Sequence, residues 1–224
     1  MKFNPKNHTY TRNGKLYTPV SDVISKLSPE FQAERIAGFV AKKQERTTEE
    51  VLEEWGMKAQ ISIDFGNAVH RSIEMFIKHS ATPKNEYLKN AVDTFPLKNK
   101  GLTSEKIVYD DDLQIAGTMD ILRKKKTKYD LYDIKTSYDL KKSYNRLLSP
   151  LQDLRDSPLN KYKLQMSIYK QLAESMGYKI DKLFILKWAD EWETIEVEPI
   201  EIDLTKVEIK KEKVKEEIIN LSDF

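Results

Sequence analysis

From position 51 the apolar residues Val51, Leu52 and Trp55, then Val69, Ile73, Phe76 and Ile77, recur at steps of three and four. That is the spacing of one face of an α-helix. Thr47-Thr48-Glu49-Glu50 stands just ahead as a capping box, with Thr47 the cap and Glu50 three residues on. Gly56 or Gly66 is expected to break the stretch into two helices. Upstream, Tyr10 to Tyr17 reads as a hairpin turning at Asn13-Gly14. A first helix is expected near Ser21, and Ser28-Pro29 has the form of an N-cap and first-turn pair opening the next. A short helix is expected from Asn85 to Thr94, stopped by Pro96.

The period then shortens. Lys106–Asp110, Leu113–Gly117, Met119–Arg123 and Lys128–Thr136 read as four strands, with turns at Asp110-Asp111-Asp112 and Lys124-Lys125-Lys126. A loop of about twenty residues follows, long enough to suspect a function. Ser157-Pro158 opens another helix, and Gly177 has the place of the residue that ends it. Leu183–Trp188 and Thr194–Val197 read as a last strand pair. Thr205 with Glu208 is expected to cap a closing helix through Val207, Val214, Ile218 and Leu221. Helices, a mostly antiparallel sheet, then helix, strands and helix make one α/β or α+β domain.

Composition narrows the chemistry. No apolar run approaches the roughly 20 residues of a membrane span, and Met1 to Pro5 lacks the basic-then-apolar form of a secretory signal. A cytoplasmic protein, not secreted and not in a membrane, is therefore the expectation. Cysteine is absent, which excludes thiolate zinc sites, iron–sulfur clusters and cysteine nucleophiles. With only His8, His70 and His79 as histidines, a metal would be held mostly by oxygen, which favours magnesium, calcium or manganese. The net charge of +2 hides an asymmetry: residues 121–163 carry 12 basic and 5 acidic side chains, residues 190–224 carry 5 and 12. A basic segment suits a phosphate backbone, though on charge alone solvated lysines on turns explain it more often.

Asp133 and Lys135 stand two apart on a predicted strand and share a face. A carboxylate beside an ammonium suits metal-assisted phosphodiester hydrolysis. Alone, Asp-x-Lys is more often a solvated strand face. Asp120 follows Gly117, where the missing Cβ lets a backbone or ligand come close. A meander would bring Glu105, Asp120 and Asp133 together. His70 and Glu74 share a helix face, as do Gln165 and Tyr169. A lone histidine is more often structural, and His8 and His79 are read so. A glutamine on a buried face needs a polar partner. Met166, Leu172 and Ala173 read as packing, and Asp110 to Asp112 as a polar turn.

The order Gly66-x-x-x-His70, Glu105, Gly117-x-x-Asp120, Asp133-x-Lys135 and Gln165-x-x-x-Tyr169 resembles the PD-(D/E)XK nuclease superfamily, in its RecB-like exonuclease branch. His8-x-Tyr10 through Tyr17-Thr18-Pro19-Val20-Ser21 is similar to the start of phage-type and mitochondrial genome maintenance exonucleases. The resemblance spans about residues 8 to 200. It implies a restriction-endonuclease-like core, a central mixed sheet flanked by helices. Its parts would be an N-terminal hairpin and helical cap or arch over 1–65, a core over 66–200 and a C-terminal helix over 201–224. It implies a metal-dependent DNA exonuclease of replication, recombination or repair, bacterial or phage-encoded. The alternatives are an endonuclease on the same fold or a non-catalytic nucleic-acid-binding module. One or two Mg2+ or Mn2+ ions would sit on Asp120, Asp133, His70 and the Ile134 carbonyl. Lys135 would be the catalytic lysine and Glu105 would orient metal or water. Thr136, Gln165 and Tyr169 would position the strand, and Lys124, Lys125, Lys126, Lys141 and Lys142 would hold its backbone. Met119 replaces the namesake proline, and no Walker-type phosphate loop is present. No nucleotide, iron–sulfur cluster or membrane is implied. Recombination or replication proteins are candidate partners, with the oligomeric state open.

Overall fold

A computed structural model describes residues 1–97 and 101–207. The chain opens with three short strands, β1 (Lys2–Asn4), β2 (Thr9–Arg12) and β3 (Lys15–Pro19). Arg12 pairs with Lys15 across Asn13-Gly14, whose φ angles of 51° and 71° are the left-handed pair such a hairpin turn needs. Helix α1 (Val20–Lys26) follows directly. Ser28 opens nothing, contrary to expectation: its hydroxyl donates to the Ile24 carbonyl and finishes α1. Helix α2 (Ala33–Gln44) starts five residues later.

Thr47 and Glu50 form the reciprocal capping box that opens α3 (Thr48–His79). Neither glycine breaks it. All 32 residues form one helix, about 48 Å long at 1.5 Å per residue. Its two halves do different work. Val69 and Ile73 pack on the sheet with Phe65, Phe76 and Ile77 beside them. Val51 near the start packs instead with Ala37 and Ala41 of α2 in a separate small core. Helix α4 (Glu86–Asp93), capped by Asn85, completes this side.

The four central strands expected between Lys106 and Thr136 are three: β4 (Leu102–Asp110), β5 (Ile115–Lys125) and β6 (Lys128–Lys135). Thr118 does not interrupt β5, because β4 pairs along it from Ile115 to Arg123. The long connection 136–157 is tied down by the buried Leu140, Leu147 and Leu151. Ser157 then caps α5 (Pro158–Ser175), and Gly177 follows its end at φ 88°. Strands β7 (Ile180–Ala189) and β8 (Glu191–Val197) close the sheet. Asp203 rather than Thr205 caps a single 3-10 turn at Leu204–Lys206, and the rest of the expected closing helix lies outside the described residues.

The eight strands form one mixed sheet. Pairing is antiparallel except at β3–β5 and β6–β7. Helices α1 and α5 bury Val23, Leu164, Ile168 and Leu172 on one face. The sheet half of α3 and α4 buries Val69, Ile73, Ala91 and Val92 on the other, against Ile121, Ile134 and Leu186. The result is three layers, helix, sheet and helix. Among the described residues no helix is long and apolar enough to cross a membrane.

Candidate active site

Strand β5 is paired with β4 along one edge. Its other edge is divided. β3 takes Ile115 and Ala116, β6 takes Ile121 to Lys125, and residues 117–120 between them are unpaired there. Beyond Tyr132, β6 leaves β5 and continues beside β7. Asp120 stands in this fork. Its Oδ2 accepts the Ile134 N–H at 2.7 Å, so a side chain bridges where the ladder has ended. In an extended strand the N–H and C=O of one residue point to one edge, so the Ile134 carbonyl faces the fork as well.

The β4 side has a matching break. Ser104 pairs with Ile121 and Lys106 with Met119, but Glu105 and Asp120 between them are not paired. Glu105 has φ 55°, a left-handed conformation rare for a non-glycine residue in a strand. Backbone strain of this kind collects at functional sites. It places the Glu105 carboxylate beside Asp120 and below His70 of α3. One donor atom from each of the three lies within 4.8 Å of the others. His70 Nδ1 is 3.5 Å from Asp120 Oδ2.

The electrostatics of the three groups are strongly coupled. Burial, then the Asp120 and Glu74 charges, push the Glu105 carboxyl up to about 7. Burial works to lower His70, but the Asp120 carboxylate outweighs it and raises the imidazole. Burial works against the Asp120 anion too, and His70, Lys135 and the Ile134 N–H more than offset it, so Asp120 sits below its ordinary range. One imidazole and two carboxylates form a donor set suited to manganese or magnesium.

Asp133 is buried behind this trio and outside it. Its Oδ2 lies 2.7 Å from Lys135 Nζ, yet that oxygen has no aligned hydrogen bond, so the contact is one of charge. Burial raises Asp133 to about 6 against the pull of Lys135. Burial likewise opposes the Lys135 ammonium, but Asp133 and Asp120 prevail and raise it. The Lys135 Nζ sits 4.7 Å over the Tyr162 ring.

Gln165 finds its polar partner on its own helix: Nε2 donates to the Tyr169 hydroxyl at 2.9 Å. The reason for Gly117 is this tyrosine. A Cβ at 117 would lie 2.4 Å from Tyr169 Cε1, so the close approach is by a ring, not by a ligand. Gly66 likewise sits over Thr136, whose Oγ1 would be 3.3 Å from an added Cβ. Met166, Leu172 and Ala173 are core. Asp110 accepts the N–H groups of Asp112 and Leu113 in a polar turn.

His70, Glu105, Asp120, Lys135, Gln165 and Tyr169 line one cleft of about 820 Å³. The proposed backbone lysines do not. Lys124, Lys125 and Lys126 sit at the far end of β5, about 13 to 20 Å along the strand from Asp120, and Lys125 is paired with Asp130. Lys141 and Lys142 lie in the loop after β6, their N–H groups held by Asp139. Sequence reasoning missed Asn67 and Tyr162, which also line the cleft. Each sits three residues before a named one, His70 and Gln165, so helical spacing would have found both. It also set aside His8, which the N-terminal hairpin brings to the cleft.

No protein-family profile and no curated protein matches the chain. Among solved structures, SSO0001 aligns over 90% of this chain and 75% of its own, with 16% identity and a TM-score of 0.42. A protein from Eubacterium rectale named "putative exonuclease" aligns over 88% of this chain and 79% of its own, with 12% identity and a TM-score of 0.40.

Proposed function

We propose that this chain is a divalent-metal-dependent nuclease that shortens DNA from its ends. The observation that carries the reading is the fork itself. Side chains from α3, β4 and β5 bring His70, Glu105 and Asp120 within 4.8 Å of one another, in front of the Asp133–Lys135 pair. These residues answer in order to the PD-(D/E)XK pattern of the sequence.

His70, Glu105 and Asp120 would hold the cation, and Asp133 and the Ile134 carbonyl are further candidate ligands. Such a cation, when bound, supplies the charge that polarises a phosphoryl oxygen and makes water acidic enough to attack at neutral pH. Lys135 offers a fixed ammonium to the phosphate and draws charge away from Asp133. The Ile134 N–H holds Asp120 in one orientation. Tyr169, seated on Gly117, closes the floor between Asp120 and α5.

The test is digestion of end-labelled single- and double-stranded DNA, of RNA, and of covalently closed circular DNA, with Mg2+ or Mn2+. Linear DNA shortens progressively, EDTA stops the reaction, and Asp120→Asn and Lys135→Ala each lose at least a hundredfold in rate. Cutting of the closed circle would assign an endonuclease instead. A folded wild-type protein that cleaves no nucleic acid with either metal overturns the hydrolytic reading.

A further inference from the structure

The N-terminal hairpin brings to the same cleft a ring cluster that the hydrolytic groups do not use. Phe3 of β1 stands opposite Tyr10 of β2 and stacks on it, with centroids 4.7 Å apart and planes 28° from parallel. His8 meets Phe3 edge-on at 5.4 Å. Tyr10 ties the cluster to the site. Its ring is buried and its hydroxyl lies 2.9 Å from Thr118 Oγ1, two residues before Asp120 on β5. Phe3 and His8 line the cleft together with Glu105 and Asp120.

Two features distinguish Phe3 from a packing residue. A ring needed only to seal the core would be covered as Tyr10 is, at 1% exposed, whereas Phe3 keeps 36% of its surface open where it lines the cleft. The segment that carries it is also wholly cationic: residues 1–21 hold Lys2, Lys6, Arg12 and Lys15 and no acidic residue. An open aromatic ring on a positive ribbon beside a phosphate-type site has the two recognition elements of a single nucleic-acid strand, a π-face for a base and charge for the backbone.

We propose that Phe3, with His8 at its edge, is a stacking platform for an unpaired nucleobase of the strand whose phosphate lies at His70, Glu105 and Asp120. The proposal rests on the nuclease reading and sharpens it. A base inside a duplex has no free face to offer, so the nucleotide that docks here is single-stranded, and blunt duplex is a poor substrate. Recognition by stacking is indifferent to base identity.

The experiment compares wild type with Phe3→Leu, which keeps apolar cover without a ring, and Phe3→Trp, which keeps a ring. Binding of a fluorescent single-stranded oligodeoxynucleotide is followed by anisotropy in EDTA, and hydrolysis is followed in Mg2+. Phe3→Leu weakens binding and raises KM about tenfold, the loss expected of one base–aromatic stack, with kcat little changed. Phe3→Trp restores both. In wild type, one abasic nucleotide scanned along the strand costs the same factor at a single position, and it adds nothing in Phe3→Leu. Blunt duplex of the same sequence is degraded at least tenfold more slowly. Equal binding by all three proteins, Trp no better than Leu, or an abasic penalty of the same size in wild type and Phe3→Leu overturns the platform. If wild type hydrolyses nothing, the nuclease reading falls, while the anisotropy series still decides the platform.

Discussion

Gly117 and Tyr169 occupy the space of one ordinary side chain contact. A Cβ at 117 would lie 2.4 Å from the tyrosine ring and 3.0 Å from Val20 Cγ2, so one of them must move. Gly117→Ala is expected to cost about 1–3 kcal/mol, the range of overpacked cores, read as a lower melting temperature. A variant as stable as wild type would show that the ring has free room. Glu105 makes the opposite kind of prediction. Its carboxyl rises from an ordinary 4.5 to about 7 in the fold. The folded state thus holds the proton more tightly, and stability falls as pH rises from 4.5 to 7. In EDTA at pH 8, Glu105→Gln is expected to be more stable than wild type by about 1–2 kcal/mol, a figure already reduced for solvent screening. The difference should vanish below pH 4.5, where the carboxyl is protonated in both states. Melting curves across pH check both ends, and a glutamine variant less stable at pH 8 contradicts the sign.

At the scale of elements, α3 is two helices' worth of function in one rod. Its second half is held by the sheet, while its first half is held by α2, its own cap and the flanking Phe31 and Arg46, which meet Trp55 and Glu54. Gly56 lies in that first half, with nothing within 4 Å of a Cβ added there. Gly56→Ala therefore meets no clash and removes a helix penalty of about 1 kcal/mol. Amide exchange around residues 53–60 should slow about fivefold, and unchanged exchange would mean that this half opens only with the whole protein. Thr47→Ala removes half of the capping box, at a cost of about 1 kcal/mol. It should speed exchange in the same turns and leave the sheet half protected. Propensity alone put a break at a glycine here. Packing from both ends kept the helix whole, because each half had a partner to bury against.

For the whole molecule, the three layers meet at one fork, and three ligand candidates come from three different elements. A cation bridging them should stabilise the fold as a ligand does, by about 2.7 kcal/mol at a hundred times its dissociation constant. The melting temperature of wild type should climb with added Mn2+ or Mg2+, and that of Asp120→Asn should not. A parallel rise in both proteins would place the bound ion elsewhere.

How much of this was legible in the chain depended on range. The hairpin at Asn13-Gly14, the Thr47–Glu50 box and the Ser157-Pro158 start rest on neighbours in sequence, and each was readable before any fold was known. The order of motifs also singled out His70, Glu105, Asp120 and Lys135, and the fold brings these four to one cleft. Three things were not legible. Ser28 caps the helix behind it because the Ile24 carbonyl is there to accept. Glu105 joins Asp120 through a left-handed backbone break that no propensity foretells. Phe3 and His8 reach the cleft only because β3 lies parallel to the start of β5 and carries the hairpin to the edge where β6 has left off. Residue types and local spacing are properties of the chain. The fork is a property of which edges pair, and pairing at a distance of about a hundred residues is decided only when the sheet is assembled.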